Sequence, residues 1–366
     1  MTMHAIGFRR YGDETVLEQL TMPLPSVGED TVVIRVVAAA VNPADWRLRS
    51  GQLRLVLRLK LPFVCGADVA GVVAEVGPQV TRFRPGDAVY ALLATAAGGG
   101  YAEYAAAPES SVAHAPSRAS FKQAAATPLV GLTALQALRD QAQIKAGQRL
   151  LVYGASGGVG SCAVQIGRAL GASVSAATSG RNREIVASLG VDEVFDYTHD
   201  DITKLHERFD VIFDAVNALS LRRVQRALKP NGLLVTVNPL SDKFAPDWLA
   251  GLRGGRRLRS VLVRPDSGDL DQLRRWIDAG TVHTLIDRCY PLADAAVAQQ
   301  HSASGRARGK LVLLVDPVLA DTPIAERTEG VNIAPLATMP PAALPYSYFT
   351  WPRTAPAGNS SLWMLI

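Results

Sequence analysis

The sequence predicts an α/β protein of two domains, a β-rich domain followed by a doubly wound parallel sheet. Three observations support this. The 366 residues, 48% hydrophobic and 19% charged, can bury more than one core. Residues 1–120 hold short β-rich runs broken by Gly and Pro, among them TVVIRVVAAAVNP, GADVAGVVAEVG and GDAVYALLA, with no long amphipathic helix between them. From residue 121 onward, short apolar runs alternate with helical patterns.

The alternation can be followed element by element. FKQAAATPLVGLTALQALRDQ has helical spacing. RLLVY (149–153), SVSAAT (173–178), EVFDY (193–197), DVIFDAV (210–216), LLVTVN (233–238) and LRSVLV (258–263) are apolar, β-branched and strand-length, and helical segments separate them, including LSLRRVQRALKPNG. DLDQLRRWIDAG is read as the closing helix of that array. Parallel neighbours need a covering crossover, so six strands with helices between them make a doubly wound sheet. Residues 284–316 return to a strand, helix, strand pattern that can rejoin the first domain. Residues 317–366 hold eight of the 22 prolines and no apolar period, so this tail is expected to be flexible or draped on the surface. Its aromatics Tyr346, Tyr348, Phe349, Trp351 and Trp363 leave docking on a partner or on the body of the protein as the alternative.

Charge and cysteine content exclude several classes. The net charge of +5 is mild, and the basic cluster RGGRRLR (253–259) has no interleaved aromatics for stacking bases, so a nucleic-acid partner is disfavoured. No segment approaches the ~20 apolar residues of a membrane span, and the first 20 residues carry scattered charges rather than an apolar signal core. A cytoplasmic location without membrane association is expected. Cys65, Cys162 and Cys289 are far apart, which gives neither a disulfide framework nor C-x-x-C metal spacing.

YGASGGVGSCAVQIGRALGA (153–172) carries two signatures. Gly154–Gly158 fits the G-x-S-x-G elbow of α/β-hydrolases, with Ser156 as nucleophile and Asp214, His283 and His301 as candidate partners. Ala155–Gly160 is also a near match to the turn that cradles a dinucleotide pyrophosphate. The second reading uses more of the residues. Gly157 lets the backbone approach a pyrophosphate, Gly160 lets the helix pack closely on the strand RLLVY, and Val159, Ala163, Ile166 and Leu170 form one apolar face of that helix. The helix N-terminus would then point free N–H groups at the phosphates. Ala155 stands where the pattern has its first glycine.

About 20 residues further on, an NAD site uses an acidic side chain for the ribose hydroxyls. Here the stretch is TSGRNRE, in which Ser179 and Arg181, with Arg183 as a further candidate, can donate charge-assisted hydrogen bonds to a 2′-phosphate. NADPH is therefore the expected cofactor, with an ordinary polar loop as the alternative.

AAAVNPADWRLRSG, GADVAGVVAEVGPQVTRFRPGDAVYA, GGGYAEYAAAPE, AAATPLVGLTALQAL, GASGGVGSCAVQIGRALGA and RGKLVLLV occur in an order and spacing that resemble the zinc-independent medium-chain dehydrogenases/reductases of the quinone oxidoreductase, zeta-crystallin-like family. The resemblance covers residues 5–316. It implies a GroES-like barrel catalytic domain at 1–121 and 286–316, a Rossmann NADPH domain at 122–285, and a homodimer joined through a sheet edge. It also implies no metal. Zinc-dependent relatives place a catalytic Cys in the stretch that here reads VNPAD and a Gly-His-Glu where this chain has Gly66, Ala67 and Asp68.

The same resemblance implies hydride transfer to a quinone or an α,β-unsaturated carbonyl. By motif position it makes Asn42 the polar residue near the nicotinamide and Asp45 and Arg49 its neighbours, with a purely turn-organising role as the alternative for Asn42 and Asp45. Arg47, preceded by Trp46, stands where some relatives have a tyrosine, so that proton donor is missing. Thr133 is implied near the phosphate or nicotinamide, and Ser156, Gly157, Gly158 and Val159 at the pyrophosphate. Ser179, Arg181 and Tyr197 fall at the 2′-phosphate, and Asn238 and Lys310 at the nicotinamide half or the phosphates. Plain surface positions are the alternative for Tyr197 and Lys310. A pathway-specific enoyl or carbonyl reductase, and an NADPH-binding regulatory or RNA-binding protein, share this scaffold and remain open from the sequence.

Overall fold

The computed structural model describes residues 1–55, 57–237 and 255–326, which form two compact units. The first unit comprises Met1–Leu129, Pro265–Gly280 and the described residues from 286 on; the second comprises the described residues of Val130–Arg264 together with Thr281–Leu285.

The first unit opens with β1 (Thr2–Phe8), β2 (Glu18–Pro23), β3 (Thr31–Val41), β4 (Phe63–Val64), β5 (Asp68–Val76), β6 (Ala88–Leu92), β7 (Tyr104–Pro108) and β8 (Val112–His114). β3 reads TVVIRVVAAAV and is buried along nearly its whole length, which its run of Val, Ile and Ala permits on both faces. Immediately after it, Asn42 and Pro43 start the helix Pro43–Arg49, with proline at the first position, where its missing N–H costs nothing.

The second unit is built on β9 (Arg149–Tyr153), β10 (Ser173–Thr178), β11 (Glu193–Asp196), β12 (Phe209–Asp214), β13 (Leu228–Thr236) and β14 (Arg257–Ser260). Their order is β11-β10-β9-β12-β13-β14, all parallel. The chain moves outward from β9 in one direction, then returns to β12 and moves outward in the other. The switch point of this sheet therefore lies between β9 and β12, where ligands bind in open α/β folds. The helix expected over LSLRRVQRALKPNG is only one turn, Leu221–Val224. Leu228 already pairs with Phe209, and Pro230 has no N–H for a helical bond, so the chain leaves the helix early.

The chain then returns to the first unit with β15 (Ile286–Pro291) and β16 (Lys310–Leu314), and β16 lies antiparallel beside β3. The larger sheet of that unit, β15-β16-β3-β5-β6-β8 with β7 also on β3, thus draws strands from both ends of the described chain. DLDQLRRWIDAG, read from sequence as part of the parallel array, forms the helix Ser267–Asp278 and packs in the first unit instead. Tyr90 Oη donates to Leu270 O at 2.6 Å, Arg82 reaches Asp271 at 2.7 Å, and Asp278 accepts from Ser117 and Arg118.

The beginning of the expected flexible tail is docked. Asp316 caps the helix Pro317–Ala320, Ala320 is buried, Ile324 N donates to Ala119 O, and Asp321 pairs with Lys122. The tail aromatics lie outside the described residues.

Candidate functional site

In the second unit, β9 ends at Tyr153 and the glycine turn follows at the switch point of the sheet. Gly154 has φ +81°, so the left-handed residue of the turn sits one position before Ala155, and the alanine causes no strain. A Cβ on Gly160 would lie 2.2 Å from Gly154 O, so the helix Gly158–Ala169 can sit this close to the turn only with glycine there. At Gly157, the N-cap, the same Cβ would meet nothing of the protein closer than 3.5 Å. The protein's own packing thus demands glycine at 160 and leaves room at 157, the room a pyrophosphate needs to reach the N–H groups of Gly158 and Val159 at the helix start.

The loop after β10 carries the polar groups. Thr178 Oγ1, Ser179 Oγ and Asn182 Oδ1 are buried atoms with no hydrogen-bond partner, whereas Asn182 Nδ2 donates to Ser156 Oγ at 2.9 Å. Arg181 is exposed. Tyr197 is 45% exposed and packs its ring 5.7 Å from that of Tyr153, so it stands at the surface beside β9. The orphaned oxygens and the space over Gly157 fit an adenosine dinucleotide. Asn238 lies outside the described residues.

Ser156 has no histidine partner; its hydroxyl is bonded to Asn182. Asp214 is engaged by the backbone N–H groups of Val216 and Leu219, and His301 by Tyr290 and Asp287. The hydrolase reading of the elbow therefore has no triad behind it.

The first unit assembles a second cluster by strand register. Leu311 of β16 faces Val41 of β3, and Asp68 of β5 faces Ala40, so the end of β3 and the starts of β5 and β16 share one edge. Asn42, Asp68 and Lys310 meet there. Lys310 Nζ donates to Asp68 Oδ2 at 3.0 Å and to Asn42 Oδ1 at 2.5 Å, Asn42 Nδ2 donates to Asp68 Oδ2 at 3.0 Å, and Leu129 N donates to Asp68 Oδ1 at 2.7 Å. Asp68 is fully buried and Lys310 is 4% exposed, which removes the surface alternative for Lys310. From the sequence, Asp68 is named only as the residue standing where zinc-dependent relatives have a glutamate, with no role assigned to it. Its signal was an acid at the head of the apolar strand DVAGVVAEV, because a charge buried in a sheet requires a cation nearby.

Asp45 and Arg49 are both buried and turned into the protein. Asp45 Oδ2 accepts from Asn42 N and from Tyr101 Oη, each at 2.8 Å, so it fixes the start of the helix Pro43–Arg49. Burial pushes its carboxyl up to about 6. Arg49 donates to Gln299 Oε1 at 2.7 Å and to Gly12 O at 2.8 Å. Burial also pushes the Cys65 thiol far above its ordinary value. In the second unit, Thr133 is buried on the helix Pro128–Leu135. Among the described residues no three His, Cys, Asp or Glu side chains are grouped to hold a metal, and no helix is long and apolar enough to cross a membrane.

A parallel sheet in this order with a glycine turn at its switch point, in one chain with a mostly antiparallel unit that fixes a buried ammonium, defines a medium-chain dehydrogenase/reductase fold. Residues 28–117 match the alcohol dehydrogenase GroES-like domain and residues 189–313 the zinc-binding dehydrogenase domain. The chain is 34% identical over 325 residues to the chloroplast envelope quinone oxidoreductase homolog of Arabidopsis thaliana, covering 85% of this chain and 98% of that protein. It is 35% identical over 327 residues to the chloroplastic NADPH-dependent alkenal/one oxidoreductase of the same plant, covering 86% and 80%. The structure of the quinone oxidoreductase from Coxiella burnetii superposes with a TM-score of 0.78 at 29% identity, covering 86% of this chain and all of that one. The chain belongs to the quinone oxidoreductase family of medium-chain dehydrogenases/reductases.

These relatives correct one expectation. The plant proteins are named as chloroplast proteins, and a mouse relative at 32% identity over 84% of this chain and 87% of its own is named as mitochondrial, so the cytoplasmic assignment does not stand. The physical reason is that organellar targeting segments are amphipathic and basic, and the absence of an apolar signal core does not argue against them.

Proposed function

We propose that the protein is an NADPH-dependent reductase that delivers hydride to a quinone or an α,β-unsaturated carbonyl without a metal. The observation that carries this is the glycine turn at the sheet's switch point, with room over Gly157 and unpartnered oxygens on the loop beside it. The names of the relatives, quinone oxidoreductase homolog and NADPH-dependent alkenal/one oxidoreductase, support the substrate class.

In this reading Gly157, Gly158, Val159 and Ser156 hold the pyrophosphate, and Ser179, Arg181 and Tyr197 surround the 2′-phosphate. When bound, the nicotinamide supplies the hydride. Negative charge then develops on the substrate oxygen and calls for donors already in place. Lys310 is such a donor: Asn42 and Asp68 take two of its three N–H groups and fix the ammonium, leaving one for an oxygen of cofactor or substrate. Asn42 and Asp68 thereby position Lys310, and Asp45 holds the backbone of Asn42. The donor chemistry supports a metal-free reaction, because Asp68 is engaged by an ammonium and burial keeps the Cys65 thiol protonated. In this reading Thr133 neighbours the phosphate or the nicotinamide. The reading includes a homodimer joined along an edge strand of the parallel sheet, which sedimentation would check.

The test is a titration with NADPH and NADH followed by nicotinamide fluorescence, with Arg181→Ala alongside, and then NADPH oxidation against a panel of small quinones and enones. Loss of the charge-assisted contact should weaken NADPH about 10- to 100-fold while leaving NADH unchanged. A panel that yields no turnover would sink the substrate class, and absence of binding by either cofactor would sink the whole reading.

A further inference from the structure

Buried polar atoms without partners are uncommon in folded proteins, and each calls for a ligand or another explanation. Three lie within five residues at the end of β10: Thr178 Oγ1, Ser179 Oγ and Asn182 Oδ1. Asn182 is the most constrained of the three. It is 6% exposed, its backbone N–H donates to Ser179 O at 2.8 Å, and its Nδ2 donates to Ser156 Oγ at 2.9 Å. In this arrangement the amide nitrogen donates to Ser156 Oγ beside the glycine turn, and the amide oxygen is left without a donor.

An amide oxygen accepts hydrogen bonds and donates none, so Asn182 Oδ1 is matched to a hydroxyl or an N–H. It is mismatched to a phosphate, whose oxygens also accept. On the adenosine ribose of NADPH the 2′ position carries the phosphate, and the 3′-hydroxyl is the remaining donor of that ring. We infer that Asn182 Oδ1 accepts the 3′-hydroxyl of the adenosine ribose and that the same side chain, through Ser156, ties the ribose loop to the pyrophosphate turn. Arg181, exposed next to it, then reads the 2′-phosphate, so the two adjacent residues divide the ring between them. The division explains why a neutral acceptor suits position 182. A carboxylate there accepts the hydroxyl equally well but repels the phosphate beside it. The inference rests on the dinucleotide reading above and adds a residue that the sequence had not singled out.

The experiment measures dissociation constants by nicotinamide fluorescence for NADPH, NADH and the 3′-deoxyadenosine analogue of NADPH, on wild type, Asn182→Ala and Asn182→Asp. Wild type should bind the 3′-deoxy analogue about five- to tenfold more weakly than NADPH, the effect of one neutral hydrogen bond. Asn182→Ala should weaken NADPH and NADH by a similar factor and lose the distinction between NADPH and its 3′-deoxy analogue. Asn182→Asp should weaken NADPH more than NADH. The wild-type comparison of the two NADPH forms needs no variant to fold, so it decides the matter even if a substitution unfolds the loop. Equal affinity of wild type for both forms overturns the inference, as does a loss in Asn182→Ala confined to NADPH, which would assign the amide to the phosphate. Wild type that binds no dinucleotide overturns the NADPH reading itself, a different failure from intact NADPH binding that ignores the 3′-hydroxyl.

Discussion

The two functional regions treat their polar groups in opposite ways. In the antiparallel unit, Asn42, Asp68 and Lys310 satisfy one another: each carboxylate oxygen of Asp68 has a donor, and both ends of the Asn42 amide are engaged. In the parallel unit, the end of β10 and the loop after it leave three buried oxygens without partners. A closed network fixes a charge before any ligand arrives, whereas an open one is completed by the ligand. Both are costly when disturbed, because a buried polar group loses its water on folding and regains the loss only through a partner.

Removing the counter-ion from the closed network should produce the largest effect. Asp68→Ala leaves the Lys310 ammonium buried without its carboxylate, and denaturant unfolding should show a loss of about 3–5 kcal/mol. If the loss were below about 1 kcal/mol, the pair would not be the close, buried contact described above.

A pH titration probes the neighbouring carboxylate. The carboxyl of Asp45 titrates near 6 in the folded protein, above its ordinary 3.8, so the native state holds a proton that the unfolded chain has already released. The resulting stabilisation is fully present below about pH 4 and is lost as pH rises through 6. An asparagine at 45 can accept from both Asn42 N and Tyr101 Oη at every pH. Relative to Asp45→Asn, wild type should therefore become less stable by on the order of 3 kcal/mol between pH 4 and pH 7. Parallel stability curves for the two proteins would count against the buried carboxylate.

The smallest stability effects separate two glycines of the open region. Gly160→Ala drives a Cβ to within 2.2 Å of Gly154 O and should cost about 1–3 kcal/mol by thermal or denaturant unfolding. Gly157→Ala places its Cβ in ordinary contact with Gly154 O at 3.5 Å and should cost no more than about 1 kcal/mol at this N-cap, yet weaken NADPH in the fluorescence titration. A Gly157→Ala protein that binds NADPH normally would show that the pyrophosphate does not approach that turn.

Much of this was legible from local pattern. The strands of the parallel sheet and the dinucleotide turn follow from apolar period and glycine spacing, which are properties of neighbouring residues. The structure adds why an alanine can stand at the first glycine of the pattern: the residue at positive φ is Gly154. The helix Ser267–Asp278 was assigned to the wrong unit because its amphipathic pattern says that it packs and not on what. Leu270 and Leu273 find their burial in the first unit, where Tyr90 and Arg82 also hold the helix.

The sequence by itself determined the alternating α/β plan, the glycine turn and the basic, acid-free loop that follows β10, because each is written in residues a few positions apart. Only the tertiary structure decided that Asp68 binds Lys310, 242 residues away, and that Asn182 leans on Ser156, 26 residues away, with its oxygen left open. Those contacts depend on strand register and loop approach, and on which buried atoms the fold leaves unpaired, none of which is encoded in the spacing of nearby residues.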